Sequence, residues 1–356
     1  MKVLLQGYIG YQNFGDDLLF EIAIDKIKKI PNVEISISIT DESLTPDYLK
    51  SYYSSLKIFR FEGKLPFLFF NNFDKIYYIG GGVFFDYKKE INNSTYLKSY
   101  VSNFIRYKIP KLLGTKFGGI GLGIGPYYHK KTMKLHRQIL KSFSVLGVRD
   151  HNSYEIAKSM KIKNLYQSND LSIGYDKLPL ENANADSSEI IICPRSYHHK
   201  PEFEKHIDEL IKLAGFLEEN GYITHWIFLQ HDSEELMFKL RGKFKITIWN
   251  PFKLSISSFI ELFKNVHVVF SSRMHSLFIA GLVNTPFVAI ELHPKLKYAS
   301  ELFYDNPEII FPLDNLLKYK QALENLETKN FNKTKLIHDK NNLKQLNIKF
   351  FEWLKK

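Results

Sequence analysis

Cysteine is all but absent. Cys193 is the only one in 356 residues, which excludes an internal disulfide and any cysteine-built metal cage and points to a reducing compartment. No stretch approaches the ~20 consecutive apolar residues of a membrane-spanning helix. The opening MKVLLQGYIG has too short an apolar run for a secretory leader and no small-residue cleavage site. The expectation is therefore a soluble, cytoplasmic protein, and the Asn-x-Ser/Thr patterns at Asn92, Asn93 and Asn332 carry no weight without a secretory route.

Familiar catalytic signatures are missing as well. The chain has no G-x-G-x-x-G dinucleotide fingerprint, no P-loop, no metalloprotease H-E-x-x-H and no G-x-S-x-G elbow. The HHK at 198–200 and QHD at 230–232 lack metal-ligand spacing, so neither metal nor cofactor is expected. No zinc finger or RNP-like strand is present and the basic residues form no recognition helix, so nucleic acid is not an expected partner.

What is present begins with charge. The net charge of +11 is spread over dispersed lysines and favours anionic partners, among them phosphorylated substrates, acidic glycans and a negatively charged membrane face. A Lys-rich compositional background is the plainer reading of the same number. With 44% apolar and 24% charged residues the chain has the composition of a globular protein, and its length suits two domains.

Short β-branched or aromatic runs (KVLLQG, VEISISI, KIFRF, KIYYIG, KFGGIGLG, SVLGVR) alternate with amphipathic segments such as DDLLFEIAIDKIKKI. Such alternation predicts parallel sheets covered by helices. The polar stretch DKLPLENANADSSE, 176–189, breaks the rhythm and reads as a linker. The alternation then restarts with EIIICPR, FEKHIDELIKLAGFLEENG, ITHWIFLQ, KITIWN, HVVFSS and PFVAIEL. The predicted fold is α/β, with two doubly wound Rossmann-like domains at 1–178 and 187–313 and a basic helical tail at 314–356.

In open parallel sheets ligands bind beyond the carboxyl ends of strands, and the unusual residues fall in those loops. GYIGYQNFGDDLL places Asn13, Gly15, Asp16 and Asp17 where a helix begins. Glycine there permits close approach to an anion at the free N–H groups, while the aspartates read equally as helix caps. IGGGVFFD carries Gly80, Gly81 and Gly82 directly after a strand, either for a tight turn or for backbone contact with a ligand. Gly123 lies in GIGLGIGP, a strand end that reads equally as turn punctuation; after SVLGV, Arg149 either pairs with a carboxylate or faces the cleft, and Asp150 or Asn152 caps the next helix. In the second half Arg195 follows EIIICP, His231 and Asp232 follow ITHWIFLQ, and Ser272, Arg273 and His275 follow VHVVFS. A permanent cation and an imidazole two residues apart, between apolar flanks, suit an anion to be held and protonated.

Taken together, GYIGYQNFGDDLL, IGGGVFFD, GLGIGP, VRDHNSYE, SNDLS and SSRMHSLFIAGLVNTPFVAI resemble the polysaccharide pyruvyl transferase family, in order and spacing from residue 1 to about residue 298. The resemblance implies a GT-B-like fold with an acceptor-side first half and a donor-side second half. It also implies transfer of pyruvate from phosphoenolpyruvate, as a ketal, onto a sugar of a cell-surface glycan or its precursor. Phosphoenolpyruvate carries a phosphate and a carboxylate, which the planar arginine fork pairs bidentately. Arg273 and Arg195, with Ser272, are the donor-binding candidates. His275 is the candidate proton donor, since imidazole titrates near neutrality, and Asp16 or Asp17 the candidate for the acceptor's proton. Asn13, Gly15, Gly80, Gly81, Gly82, Gly123 and His231 are the acceptor or loop candidates. The acceptor would be a sugar or lipid-linked oligosaccharide, with peripheral contact at the inner membrane surface through the basic tail. Two rivals share the pattern: a GT-B glycosyltransferase using a nucleotide sugar, and a non-catalytic glycan-binding protein.

Overall fold

The computed structural model describes residues 1–41, 43–86, 90–177, 187–195, 201–232, 234–311, 316–326 and 332–355. The chain divides into two compact units. Met1–Tyr11, Asp16–Gly174 and Asp339–Lys356 form the first, and Gln12–Gly15 with Tyr175–His338 form the second. Residues 178–186, most of the stretch expected as a linker, lie outside the described residues.

The first unit is built on strands β1 (Lys2–Gln6), β2 (Glu34–Ile39), β3 (Lys57–Arg60), β4 (Lys75–Tyr78), β5 (Gly81–Phe84), β6 (Lys116–Ile124), β7 (Phe143–Val148) and β8 (Leu165–Gln167). They run parallel in the order β3-β2-β1-β4-β6-β7-β8, with β5 also paired to β6. The helices in this stretch of chain are α1 (Phe14–Ile27), α2 (Asn93–Asn103), α3 (Ile109–Leu112), α4 (Lys130–Leu140) and α5 (His151–Ser159). Strand order reverses between β1 and β4, so the loops leaving those two strands flank the switch point where such sheets take ligands.

Two strands were not legible as such. β8 has only three residues, and β5 contains the glycines read as a turn. β4 and β5 pair with successive halves of β6, Tyr78 opposite Gly119 and Gly81 opposite Leu122. The kink between them puts Gly80 at φ 97° and Gly81 at φ 78°. Only glycine enters that region without steric cost, so the backbone alone calls for glycine at both positions.

The second unit carries β9 (Glu189–Cys193), β10 (Ile223–Phe228), β11 (Lys245–Ile248), β12 (Val268–Ser271), β13 (Phe287–Ile290) and β14 (Ile309–Ile310). They are parallel in the order β11-β10-β9-β12-β13-β14. Every residue of β12 and β13 is buried, as expected of strands covered on both faces, and Trp226, Phe228, Phe270 and Phe287 anchor the core. Helices α6 (Pro201–Glu219), α7 (Glu234–Leu240), α8 (Ile256–Glu261), α9 (Met274–Leu282) and α10 (Lys295–Glu301) intervene or flank. The reversal of strand order falls between β9 and β12.

The C-terminal segment expected over 314–356 holds α11 (Leu316–Leu326) and α12 (Lys333–Lys355), and its residues from Asp339 group with the first unit. Leu343, Leu346, Phe350 and Leu354 are buried, and the Phe350 ring lies 4.3 Å from that of Tyr77. Lys75 Nζ donates to the Trp353 carbonyl at 2.5 Å and stands 4.9 Å above its ring. Burial there pulls the Lys75 pKa down to about 8. The apolar face of α12 is thus consumed by packing within the first unit.

Candidate functional site

In the second unit β9 and β12 are neighbours, with Cys193 opposite Ser271, so the residues that follow them share one rim. Three serines shape that rim. Ser272 donates its N–H to the Cys193 carbonyl at 3.1 Å, and its hydroxyl accepts the Arg195 N–H at 2.7 Å, tying the two strand ends together. Ser271 Oγ accepts the Arg273 N–H at 2.8 Å, and Ser276 Oγ donates to the Arg273 carbonyl at 2.6 Å. Ser272 therefore orders the loop that carries Arg195. Arg273 is the N-cap residue of α9, 9% exposed, with Nε donating to the Pro194 carbonyl at 3.4 Å.

Helix α9 is buried on nearly every side, and His275 is its single residue that is not buried. Its ring is held against the start of α1. A Cβ built on Gly15 would stand 1.9 Å from His275 Nδ1, so any side chain at 15 would displace the imidazole. Segment 12–15 is fixed in turn on the same rim, at the exit of β10. Phe14 donates its N–H to the Leu229 carbonyl at 2.7 Å, and Asn13 Nδ2 donates to Gln230 Oε1 at 2.6 Å. Asn13 Oδ1 accepts the Gly15 N–H at 3.1 Å, the N-cap arrangement. Phe14 packs on Trp249 and Phe259 at ring distances of 5.0 and 4.6 Å. Asn13, Gly15, Arg195, Ser272, Arg273 and His275 thus gather at the switch point of the second sheet. His231 is exposed on the adjoining β10 loop and Asp232 is buried beside it. Gln230, which orders Asn13, was not singled out from the sequence, since nothing local marks it.

Cys193 closes β9 on this rim, yet burial pushes its thiol up to about 11, so near neutral pH it is a packed thiol rather than a thiolate nucleophile.

In the first unit Asp16 and Asp17 part. Asp17 is 1% exposed and accepts the Tyr48 hydroxyl at 2.6 Å, an internal tie between α1 and the short 3₁₀ helix Pro46–Ser51. Asp16 instead points at the glycine kink, with Oδ1 3.5 Å from where a Gly81 Cβ would stand. Gly123 makes room for a cation: a Cβ there would lie 2.8 Å from Arg149 Nη2, and one on Gly82 would lie 3.9 Å from it. Arg149 is buried, with Nη1 3.4 Å from Asp170 Oδ2 and Nε 3.5 Å from Asp150 Oδ2. Asp170 also accepts the Ser172 N–H and hydroxyl at 3.0 and 2.8 Å, and Asp150 caps α5 through the Ser153 N–H at 2.7 Å. The strand-end glycines and the SNDLS turn thus enclose one buried ion-pair cluster, which only tertiary contact reveals. A second pair ends the IGGGVFFD stretch. Burial raises the Asp86 carboxyl, but hydrogen bonds from the His129 N–H and ring and from the Tyr128 N–H outweigh it and hold the pKa below the usual range.

A family model described as polysaccharide pyruvyl transferase matches residues 13–294, a span running from Asn13 past His275. The chain belongs to the polysaccharide pyruvyl transferase family. Its members' transfer of pyruvate to a glycan gives this chain its class, a transferase of polysaccharide biosynthesis. No curated protein matches the sequence. Among solved structures, UDP-GlcNAc 2-epimerase from Neisseria meningitidis bound to UDP-GlcNAc aligns with TM-score 0.62 at 12% identity over 100% of both chains. The Methanocaldococcus jannaschii UDP-GlcNAc 2-epimerase in complex with UDP-GlcNAc and UDP gives 0.61 at 12%, over 98% of this chain and 99% of that one. A glycosyltransferase from Rickettsia africae gives 0.57 at 12%, over 100% and 98%. At such identity the likeness concerns the fold, which this pyruvyl transferase family member shares: GT-B-like, with parallel sheets and a C-terminal helix.

Proposed function

We propose that this transferase moves pyruvate from phosphoenolpyruvate onto two hydroxyls of a sugar in a cell-surface glycan or its precursor, forming a ketal. The observation that carries the reading is the pairing of Arg273 and His275 at the switch point of the second sheet, with the imidazole seated on Gly15. Arg273 and Arg195 hold the donor's carboxylate and phosphate. A fixed guanidinium in low-dielectric surroundings grips an anion far more firmly than one in water.

His275 delivers its proton to the methylene carbon of the enol phosphate, and C2 becomes an oxocarbenium-like centre. One sugar hydroxyl attacks C2 and gives up its proton, which restores the imidazolium. The second hydroxyl then displaces phosphate at the same carbon, and its proton leaves with the phosphate. The balance is one diol and one phosphoenolpyruvate in, one ketal and one inorganic phosphate out. Asp17, committed to Tyr48, takes no part in this proton transfer.

The test is acceptor-dependent phosphate release from phosphoenolpyruvate across a panel of sugars, together with calorimetric titration of phosphoenolpyruvate and of nucleotide sugars. Binding and release with phosphoenolpyruvate support the assignment. Binding of nucleotide sugars alone would move the protein to the glycosyltransferases.

A further inference from the structure

The second helix of the first unit carries its apolar stripe on the wrong side for a core. Leu97, Tyr100, Val101 and Phe104 follow the i, i+3, i+4, i+7 spacing that marks the packed face of a helix. All four are exposed, Leu97 at 63%, and α2 has no buried residue at all. The stripe continues at the end of α3, where Leu112 and Leu113 are 73% and 69% exposed. Phe67 and Leu68, in the loop before β4, are exposed as well, and Phe67 is tied to this segment by the Arg106 guanidinium 5.4 Å from its ring centroid. Arg106 also donates to the Leu65 carbonyl at 2.6 Å, so this loop and the helical segment form one surface.

Charge identifies the occupant. Residues 93–114 contain Lys98, Arg106, Lys108 and Lys111 and no aspartate or glutamate, and the neighbouring 64–73 adds Lys64, again without an acid. Lys64, Lys98 and Lys108 are exposed. A second copy of the chain would set these cations against themselves, a like-charge contact that disfavours association. Apolar and aromatic side chains rimmed by cations match the boundary of an anionic bilayer, where rings and aliphatic chains enter the acyl region and lysines meet lipid phosphates. No helix among the described residues is long and apolar enough to cross a membrane, so contact would be peripheral. The basic C-terminal helix is a poorer candidate, because its apolar face is spent on Tyr77 and Lys75.

We infer that the α2–α3 surface, with Phe67 and Leu68, docks the protein on an anionic lipid bilayer. This holds whichever donor the active site uses. Co-sedimentation of the full chain with vesicles of phosphatidylcholine mixed with phosphatidylglycerol, and of phosphatidylcholine alone, tests it. The expected result is salt-sensitive binding to the mixed vesicles. Leu97→Glu and Leu112→Glu should each weaken it by roughly tenfold or more, as loss of one buried leucine side chain implies. Leu317→Glu, at an exposed leucine of α11, serves as the control and should bind as the wild type does. Because the replaced side chains are exposed, circular dichroism should report unchanged folding in all three. Absence of vesicle binding, or equal loss in the Leu317→Glu control, overturns the inference. So would concentration-dependent dimerisation abolished by Leu97→Glu, which would give the face to a second copy of the chain.

Discussion

The imidazole of His275 occupies the space that a side chain at Gly15 would fill, with Nδ1 1.9 Å from the position of the missing Cβ. Gly15 is thus a steric determinant of how His275 points, and the glycine is required by a neighbour 260 positions along the chain rather than by its own backbone.

Gly15→Ala should leave the protein folded, because alanine is favoured over glycine inside a helix by ~1 kcal/mol. The methyl group must nevertheless push the ring aside, and a misplacement of that size costs roughly 10²-fold in turnover. Steady-state phosphate release checks this, and an alanine variant with wild-type kcat would refute the positioning role.

Arg273 and His275 should separate kinetically. Arg273→Ala should raise KM for phosphoenolpyruvate by roughly 10- to 100-fold, the value of a charge-assisted contact, with Arg273→Lys intermediate because lysine lacks the planar fork. His275→Ala should lower kcat by roughly 10²- to 10⁴-fold, the range of general acid catalysis. A fully active His275→Ala protein would remove His275 as the proton donor.

Arg149 and Asp170 are a buried pair, and removing one partner strands the other. Arg149→Leu should cost ~3–5 kcal/mol of stability, read as a lower urea midpoint. In a double-mutant cycle with Asp170→Asn the combined loss should be smaller than the sum of the single losses. Additive effects would mean that the pair does not couple.

His206 in α6 is buried, and neither ring nitrogen has a hydrogen-bond partner among the described residues. Burial pushes its pKa down to about 4, below the unfolded value of ~6.5. Below pH 6.5 the unfolded chain therefore binds the extra proton, so the stabilisation is complete above that pH and is lost as pH falls toward 4. His206→Leu should remove this dependence. Relative to its difference from wild type at pH 7, it should gain about 2 kcal/mol at pH 5. Unfolding curves at the two pH values decide it, and parallel losses in both proteins would contradict the assignment.

Much of the architecture could be read from residue pattern alone. Strands such as VVFS and FVAI are continuous β-branched and aromatic runs, and a parallel sheet buried on both faces leaves that signature locally. The elements that escaped were β8 and β14, too short to show a period, and β5, whose glycines imitate a turn because its kink needs positive φ. Arg273 and His275 stood out because a cation and an imidazole between apolar runs contradict their surroundings. Gln230 and the Asp86–His129 pair contradicted nothing nearby and were invisible. The stripe of α2 has the spacing of a core face, and only the fold shows that its four side chains are exposed.

The sequence by itself determined two parallel α/β halves, the rim loops that hold the unusual residues, and the family to which the chain belongs. These rest on local propensity, strand–helix alternation and motif order, all written along the chain. Only the tertiary structure decided that Gly15 makes room for His275, that Asp17 belongs to Tyr48 while Asp16 faces the glycine kink, and that Gly123 shelters Arg149. Those are relations of volume and distance between residues far apart in sequence, and a one-dimensional pattern carries no record of which side chain fills which space.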